Sequence, residues 1–199
     1  VDPIADIEVI QTELCLADLA TVEKALNRYS KAAKSGNDKE AAKLVQLLTP
    51  IQAALNEGKP ARTIPVSKED APLLKQFCLI TAKPAMFVGN VAEDGFENNP
   101  LLDRLKDYAA AQDAPVVAIC AKIEAEMAEM SDDDRAMFLE EMGLEEPGLN
   151  RLIRAGYDLL GLQTYFTAGV KEVRAWTIHK GDTAPQAAGV IHGDFERGF

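Results

Sequence analysis

Apolar side chains recur at helical spacing in the first third of the chain. Residues 4–35 carry them mostly three and four positions apart, with Ile10 and Leu14 on the stripe, which predicts one long helix. A second stripe predicts a helix over about residues 38–57, which we expect Pro50 to kink or to open locally. Between the two stripes, Ser35-Gly36-Asn37-Asp38 offers a C-terminal glycine and N-cap residues. The sequence therefore predicts an antiparallel two-helix arm.

The pattern then changes to short strands alternating with helices. Strands are predicted at 84–89 and 115–120, with a helix over 99–112 between them that turns Leu101, Leu102, Leu105 and Tyr108 inward. The unbroken apolar run PVVAIC of the second strand is typical of a parallel strand covered on both faces. Further helices are predicted at about 121–130, 132–142 and 147–160. Two strands are only part of such a sheet, so we expect an α/β fold whose remaining strands are missing.

From residue 161 onward the composition changes again. The stretches LQTYFTAG and KEVRAWTI are rich in β-branched and aromatic residues and predict a β-hairpin. A short helix capped by Thr183 should follow, and the final DFERGF is expected to begin another strand. Trp176 on the second strand is expected in the hairpin core, with an exposed RNA-stacking position as the alternative. The module therefore looks unfinished.

Composition narrows the class of protein. The 199 residues are 47% hydrophobic and 27% charged, and no apolar run approaches the roughly 20 residues that span a membrane. The start VDPIADIEVI has no basic signal-peptide region and no initial Met, so we expect a piece of a longer protein without a membrane partner. The cysteines, Cys15, Cys78 and Cys120, are odd in number and far apart. They predict buried thiols in a reducing cytoplasm rather than disulfides or a zinc site.

The net charge of −11 lies entirely in residues 1–160, because residues 161–199 hold four basic and four acidic side chains. Such a surface does not bind DNA or RNA through net charge alone. The arm carries basic residues at spacings of three and four, for which a solvated face is favoured over a ribosomal contact. These residues are Lys24, Arg28, Lys31 and Lys34.

Polar residues follow both predicted parallel strands. In AMFVGNVAEDGF the first strand runs into Asn90, with Val91 next and Glu93 three residues on, and Ala121 and Lys122 follow the second strand. GTPase-type P-loop hydrolases place Asn-Lys-x-Asp and Ser-Ala-Lys at such strand ends to read guanine. The residues alone leave two alternatives open, a loop that reads a nucleotide base and an ordinary turn with a solvated glutamate.

The substitutions in this motif favour a different base. The Glu93 side chain is one methylene longer than aspartate, so its oxygens cannot occupy the guanine-reading position without a backbone shift. Loss of guanine recognition, with backbone groups near Val91 reading the adenine edge, would favour ATP over GTP.

Longer stretches resemble a known family. The segments NVAEDGFENNPLLDRL, EEPGLNRLIRAGYDLLGLQTYFTAGVKEVRAWTIHKGDTAPQAAGVIHGDFERGF and DPIADIEVIQTELCLADLATVEK resemble the YchF subfamily of Obg-like ATPases. The resemblance implies nucleotide base-binding roles for Asn90, Val91, Glu93, Ala121 and Lys122. It also implies ATP (or GTP) with Mg²⁺ as cofactors and the ribosome as partner.

The resemblance also implies a division of the chain. Residues 1–12 and 78–160 would form a partial GTPase-like P-loop sheet, residues 13–77 an inserted helical, coiled-coil-like arm, and residues 161–199 the first part of a β-grasp TGS domain. No Gly-x-x-x-x-Gly-Lys-Ser/Thr occurs in the 199 residues, so the phosphate loop and the Mg²⁺ ligands are absent and no catalytic residue is assigned. We expect this chain alone to be inactive. The alternative is a non-catalytic ribosome- or protein-binding module with vestigial nucleotide recognition.

Two further groups of residues have a simpler explanation than metal binding. His179 and His192 stand thirteen positions apart without a nearby cysteine, and are expected to be surface or hydrogen-bonded side chains. The run Asp132-Asp133-Asp134 is expected to be a solvated, N-capped helix start.

Overall fold

The computed structural model describes residues 2–34 and 38–199, which form an α/β structure with a large helical content and two small sheets. The chain divides into two compact units, Val1–Pro84 and Ala85–Phe199. The three-part domain division expected from the sequence stays a prediction. In the described ranges, none of the helices combines the length and the apolar character that crossing a membrane requires.

Two long helices build the first unit. Helix α1 spans Pro3–Lys34 and helix α2 spans Lys39–Asn56, running through Pro50 without ending. Asp38 is the N-cap of α2, since its carboxylate accepts from the backbone N–H of Ala41 at 2.8 Å. The side chain of Gln11 donates to the carbonyl of Gly58 at 3.2 Å, so the beginning of α1 lies beside the end of α2 and the pair is antiparallel. The predicted capping glycine, Gly36, lies outside the described residues.

The buried face of α1 differs from the predicted stripe. Ile10 and Leu14 are 60% and 37% exposed, so their predicted inward positions are wrong. Val22, which the predicted stripe includes, is buried, and Cys15 and Ala25 pack with it against the apolar residues of α2. Asp18 is buried on the same helix. A search for apolar positions does not recognise the buried face of α1, because the Asp18 carboxylate lies in the middle of it, and this explains the wrong positions of Ile10 and Leu14.

Asp18 is only 3% exposed and ties α1 to the end of the unit. Its carboxylate accepts from the backbone N–H groups of Ile80 and Thr81 at 2.8 and 2.7 Å, and from the Thr81 hydroxyl at 2.6 Å. The Thr81 hydroxyl oxygen in turn accepts from the N–H of Ala61 at 2.9 Å. Helix α3 spans Ala71–Lys75. The network connects α1 to the 3₁₀ turn Ala61–Thr63 and to the segment that follows α3.

The cysteines do not all behave as predicted. Cys15 and Cys120 are buried, whereas Cys78 is exposed, so the prediction is wrong for that residue. Cys78 follows the last turn of α3 with a φ of 50°, and its thiol and its amide both point back to the carbonyl of Lys75. The tight turn places the thiol outward, a feature that composition alone cannot reveal.

The second unit begins with two parallel strands, β1 (Phe87–Asn90) and β2 (Val116–Ile119). Helix α4, Pro100–Ala110, connects them and buries Leu102 and Leu105. Leu101 is 44% exposed, which corrects its predicted inward position. Helices α5 (Ala121–Ala128), α6 (Asp132–Glu141) and α7 (Gly148–Leu159) follow β2.

A carboxylate on α5 holds the start of α7. Glu124 accepts from the N–H groups of Gly148 and Leu149 at 2.6 and 3.1 Å. A Cβ on residue 148 would lie 2.8 Å from the Glu124 oxygen and 3.0 Å from Ile119, so glycine allows this close approach. The contact places α7 against the strand that precedes α5.

The unit ends in an antiparallel hairpin, β3 (Leu162–Ala168) and β4 (Val173–His179), followed by α8 (Ala184–Ile191) with its Thr183 capping box. Trp176 is half-buried, its indole N–H donates to the Thr167 hydroxyl at 2.9 Å, and Arg174 lies 4.2 Å above the ring. Residues Gly193–Arg197 form helix α9, so the predicted final strand is wrong. Acidic residues in the first turn and His192 as N-cap favour the helix.

Candidate nucleotide-base site

The ends of β1 and β2 lie side by side. The register pairs Asn90 with Ile119, and the N–H of Val91 donates to the Ile119 carbonyl at 2.8 Å, one residue beyond the ladder. The loops that leave the two strands therefore begin at the same edge of the sheet. In open α/β sheets this carboxyl edge is where ligands bind.

Asn90 connects the two loops directly. Its side-chain oxygen accepts from the N–H of Ala121, the first residue of α5, at 3.0 Å. That N–H is one of the orphan donors of a helix N-terminus, so the asparagine caps it across the sheet. The sequence placed both residues at strand ends, and the structure shows that they touch.

Glu93 and Lys122 form an ion pair over the same edge. The ammonium of Lys122 lies 2.6 Å from a Glu93 carboxylate oxygen and 3.9 Å from Glu126, one helical turn further along α5. The hydrogen bond and the charge of Glu93, with a smaller contribution from Glu126, raise the pKa of Lys122 above its usual value. Both partners remain substantially exposed, at 48% and 69%, so a ligand can reach them.

These residues surround a cavity of about 560 Å³. Its volume falls within the range of small-molecule sites. Four of the five predicted residues line it, while Ala121 contacts Asn90 without lining the cavity. The complete lining is Asn90, Val91, Ala92, Glu93, Asp94, Cys120 and Lys122.

Sequence reasoning missed the residues that shape the first loop. The N–H of Gly95 donates to the carbonyl of Ala92 at 2.9 Å, and a Cβ at Gly95 would lie 3.0 Å from the Ala92 nitrogen. The side chain of Asn99 donates to the Gly95 carbonyl at 2.9 Å and also caps α4. The Asp-Gly dipeptide at 94–95 is a turn signal that could have identified this loop.

The histidines and the acidic run singled out in the sequence do not line this cavity. His179 and His192 each lie beside a neighbouring carboxylate, at 3.9 Å from Asp182 and 3.4 Å from Asp194. The acidic run opens α6, where Ser131 is the N-cap. Over residues 2–34 and 38–199, His, Cys, Asp and Glu side chains form no group of three that could hold a metal ion.

Curated proteins match the chain along its whole length. The "Ribosome-binding ATPase YchF" of Haemophilus influenzae is 53% identical over 199 residues, covering 100% of this chain and 54% of that protein. The protein of the same name from Bacillus subtilis is 50% identical over 202 residues, covering 100% of this chain and 55% of that protein. Over its whole length the chain is therefore similar to YchF proteins.

Two further comparisons also show similarity to YchF proteins. The family model YchF-GTPase_C, described as a protein of unknown function (DUF933), matches residues 162–199. The structure of the Schizosaccharomyces pombe YchF GTPase aligns with a TM-score of 0.86 at 31% identity, covering 100% of this chain and 55% of that one. The chain thus spans about half the length of the YchF relatives it matches.

Proposed function

We propose that this chain supplies the base-selecting part of a ribosome-associated ATPase that prefers ATP to GTP. The observation that carries the proposal is the meeting of Asn90 and Glu93 with Ala121 and Lys122 at two parallel strand ends. The names of the relatives, ribosome-binding ATPases, support both ATP hydrolysis and ribosome binding. The proposal includes a cytoplasmic location, in keeping with three free cysteines.

The finer architecture is part of the same proposal. Residues 1–12 and 78–160 would form a partial P-loop sheet, residues 13–77 the inserted arm, and residues 161–199 the first part of a TGS module. The parallel β1–β2 pair joined through α4 supports the first assignment. The antiparallel α1–α2 pair and the β3–β4 hairpin support the other two.

The ion pair gives the site a reason to prefer adenine. Guanine presents donors at N1 and at its amino group and therefore needs a free acceptor. One oxygen of the Glu93 carboxylate already accepts from the Lys122 ammonium at 2.6 Å, which weakens the carboxylate as that acceptor. The same ammonium offsets the repulsion that a bare carboxylate would exert on the N1 acceptor of adenine.

We assign the chemistry of phosphate cleavage to no residue of this chain. An ATPase of this class needs a phosphate loop and Mg²⁺, which supply charge stabilisation to the transferring phosphoryl group. No residue of this chain has the phosphate-loop pattern, so we assign none of them to Mg²⁺ or to catalysis. We propose that the residues described above bind and orient the base only.

Nucleotide binding by the full-length protein tests this proposal. Asn90→Ala removes the acceptor for the Ala121 N–H, so we expect weaker ATP binding and slower ATP hydrolysis with unchanged helix content. Asn150→Ala, at an exposed position on α7, is the matched control. If both variants bind ATP like the parent, the cavity at the strand ends does not bind the base.

A ribosome-binding module remains the second candidate, and the arm favours it. Lys24, Lys31 and Lys34 on α1 are exposed and have no ion-pair partner within the described ranges, and Arg28 lies 5.3 Å from the Tyr29 ring. Reversing Lys24 and Lys31 to glutamate should reduce cosedimentation with ribosomes and flatten its salt dependence. This second function is favoured if the two charge-reversal variants lose ribosome binding and the parent protein does not hydrolyse ATP.

A further inference from the structure

A second cavity lies within the Val1–Pro84 unit, far along the chain from the base site. Its volume is about 580 Å³, and it opens between the end of α2, the 3₁₀ turn, α3 and the segment that follows α3. Ile51, Ala61 and Leu79 line it and belong to the core of the unit, each at most 4% exposed. The remaining apolar lining consists of Ile64, Val66, Ala71, Leu74 and Ala82.

The charged residues of this cavity are all basic. Arg62, Lys75 and Lys83 line it, and no carboxylate does, although the whole chain carries a net charge of −11. Arg62 is half-buried, and its guanidinium donates to the Thr81 carbonyl at 3.4 Å, so the Asp18 network holds it in place. Lys75 and Lys83 are exposed and have no ion-pair partner in the part of the chain that the structure describes.

An apolar interior with a cationic rim is complementary to an apolar chain that ends in one negative charge. Apolar surface drives such a chain out of water, and the lysines select its head group. We propose that this cavity binds the free carboxylate form of a medium-chain fatty acid. The chain lies over Ile51 and Leu79, and the carboxylate lies between Lys75 and Lys83. This site is separate from the nucleotide-base cavity and does not depend on the proposed ATPase function.

Cys78 makes the proposal measurable, because its exposed thiol lines the cavity while Cys15 and Cys120 are buried. The experiment uses the full-length protein and the uncharged reagent iodoacetamide, with labelling of the Cys78 peptide followed by mass spectrometry. Decanoate should slow the labelling of Cys78 in a saturable manner. Decanol, which has the same chain without the charge, should protect at least several-fold more weakly.

Matched variants distinguish recognition of the carboxylate by the lysines from burial of the apolar chain in the cavity. Lys75→Ala combined with Lys83→Ala should weaken protection by decanoate about tenfold and leave protection by decanol unchanged. Lys68→Ala, at an exposed lysine outside the cavity, should change neither. Ala82→Trp fills the cavity from an exposed position and should abolish protection by both compounds.

Three results would overturn the proposal. Equal protection by decanol and decanoate would show that the basic rim does not select an anion. Protection that survives Ala82→Trp would place the fatty acid elsewhere on the protein. A Cys78 that resists iodoacetamide without any added ligand would show that another part of the full-length protein covers the cavity.

Discussion

The Lys122 ammonium and a Glu93 carboxylate oxygen lie 2.6 Å apart, although 29 positions separate the two residues along the chain. Each residue belongs to the loop or helix that leaves a different parallel strand, and Asn90 and Ala121 bring those two strand ends together. Glu93 and Lys122 therefore face the candidate base cavity as an ion pair, next to Asp94, which also lines it. Base preference should respond to either partner.

Removing the cation should relax the preference for adenine. In Lys122→Ala the Glu93 carboxylate is free to accept from guanine, so we expect the ratio of GTP to ATP dissociation constants to fall about three- to tenfold. Fluorescent nucleotide analogues measure both constants in the full-length protein. Lys106→Ala is the control, because Lys106 forms a comparable exposed pair with Asp103 on α4. An unchanged ratio would show that the ion pair does not select the base.

Rebuilding the guanine-reading motif should shift preference further toward GTP. Glu93→Asp with Val91→Lys shortens the carboxylate and restores the Asn-Lys-x-Asp pattern at the end of β1. Competition between ATP and GTP for the same protein measures the shift. Selectivity that stays at the parent value would mean that neither position reads the base.

The buried carboxylate of α1 should be a large contributor to the stability of the first unit. Asp18→Ala leaves the N–H groups of Ile80 and Thr81 without their acceptor in a buried region, which should lower the free energy of unfolding by about 2–4 kcal/mol. Urea unfolding followed by circular dichroism, with hydrogen exchange at the two amides, measures the effect. Glu13→Ala, an exposed carboxylate on the same helix, should cost far less. Equal effects of the two variants would contradict the role of the network.

The Cys15 thiol should make the first unit sensitive to alkaline pH. Burial, with the nearby Asp18 charge adding to it and Arg62 opposing it, raises the pKa of Cys15 above its ordinary value of 9.0. The unfolded chain therefore loses this proton at a lower pH than the folded protein does. The contribution of the protonated Cys15 thiol to the free energy of unfolding is fully present below pH 9.0, and it declines as the pH rises through the pKa of the folded protein.

Comparison of the parent with Cys15→Ala isolates this contribution from other titrating groups. The difference between their unfolding free energies should be constant up to about pH 9 and then decrease, to the disadvantage of the parent. Urea midpoints at a series of pH values provide the measurement. A difference that stays constant to high pH would mean that the thiol ionises equally easily in both states.

Local pattern was sufficient for most elements and for the position of the candidate site. Asn90 and Ala121 could be placed because the ends of parallel strands joined through a helix meet at one edge. The failures have a common cause. Asp18 is a charged residue on a buried face, so a search for apolar positions does not select it, and Cys78 is an apolar residue on an exposed turn, so composition assigned it to the wrong environment. Residues 193–197 turned out helical because capping and first-turn acids outweighed a β-like ending.

Sequence pattern was enough to predict the long helices, the two parallel strands, the hairpin and the residues that follow each strand, because these depend on periodicity and on neighbours a few positions away. Which of those residues touch depends on how the elements pack. The Glu93–Lys122 pair, the Asp18 network and the basic-rimmed cavity each join segments that are 20 or more residues apart. Such contacts depend on the distances between packed elements, and those distances are set only when the whole core has formed.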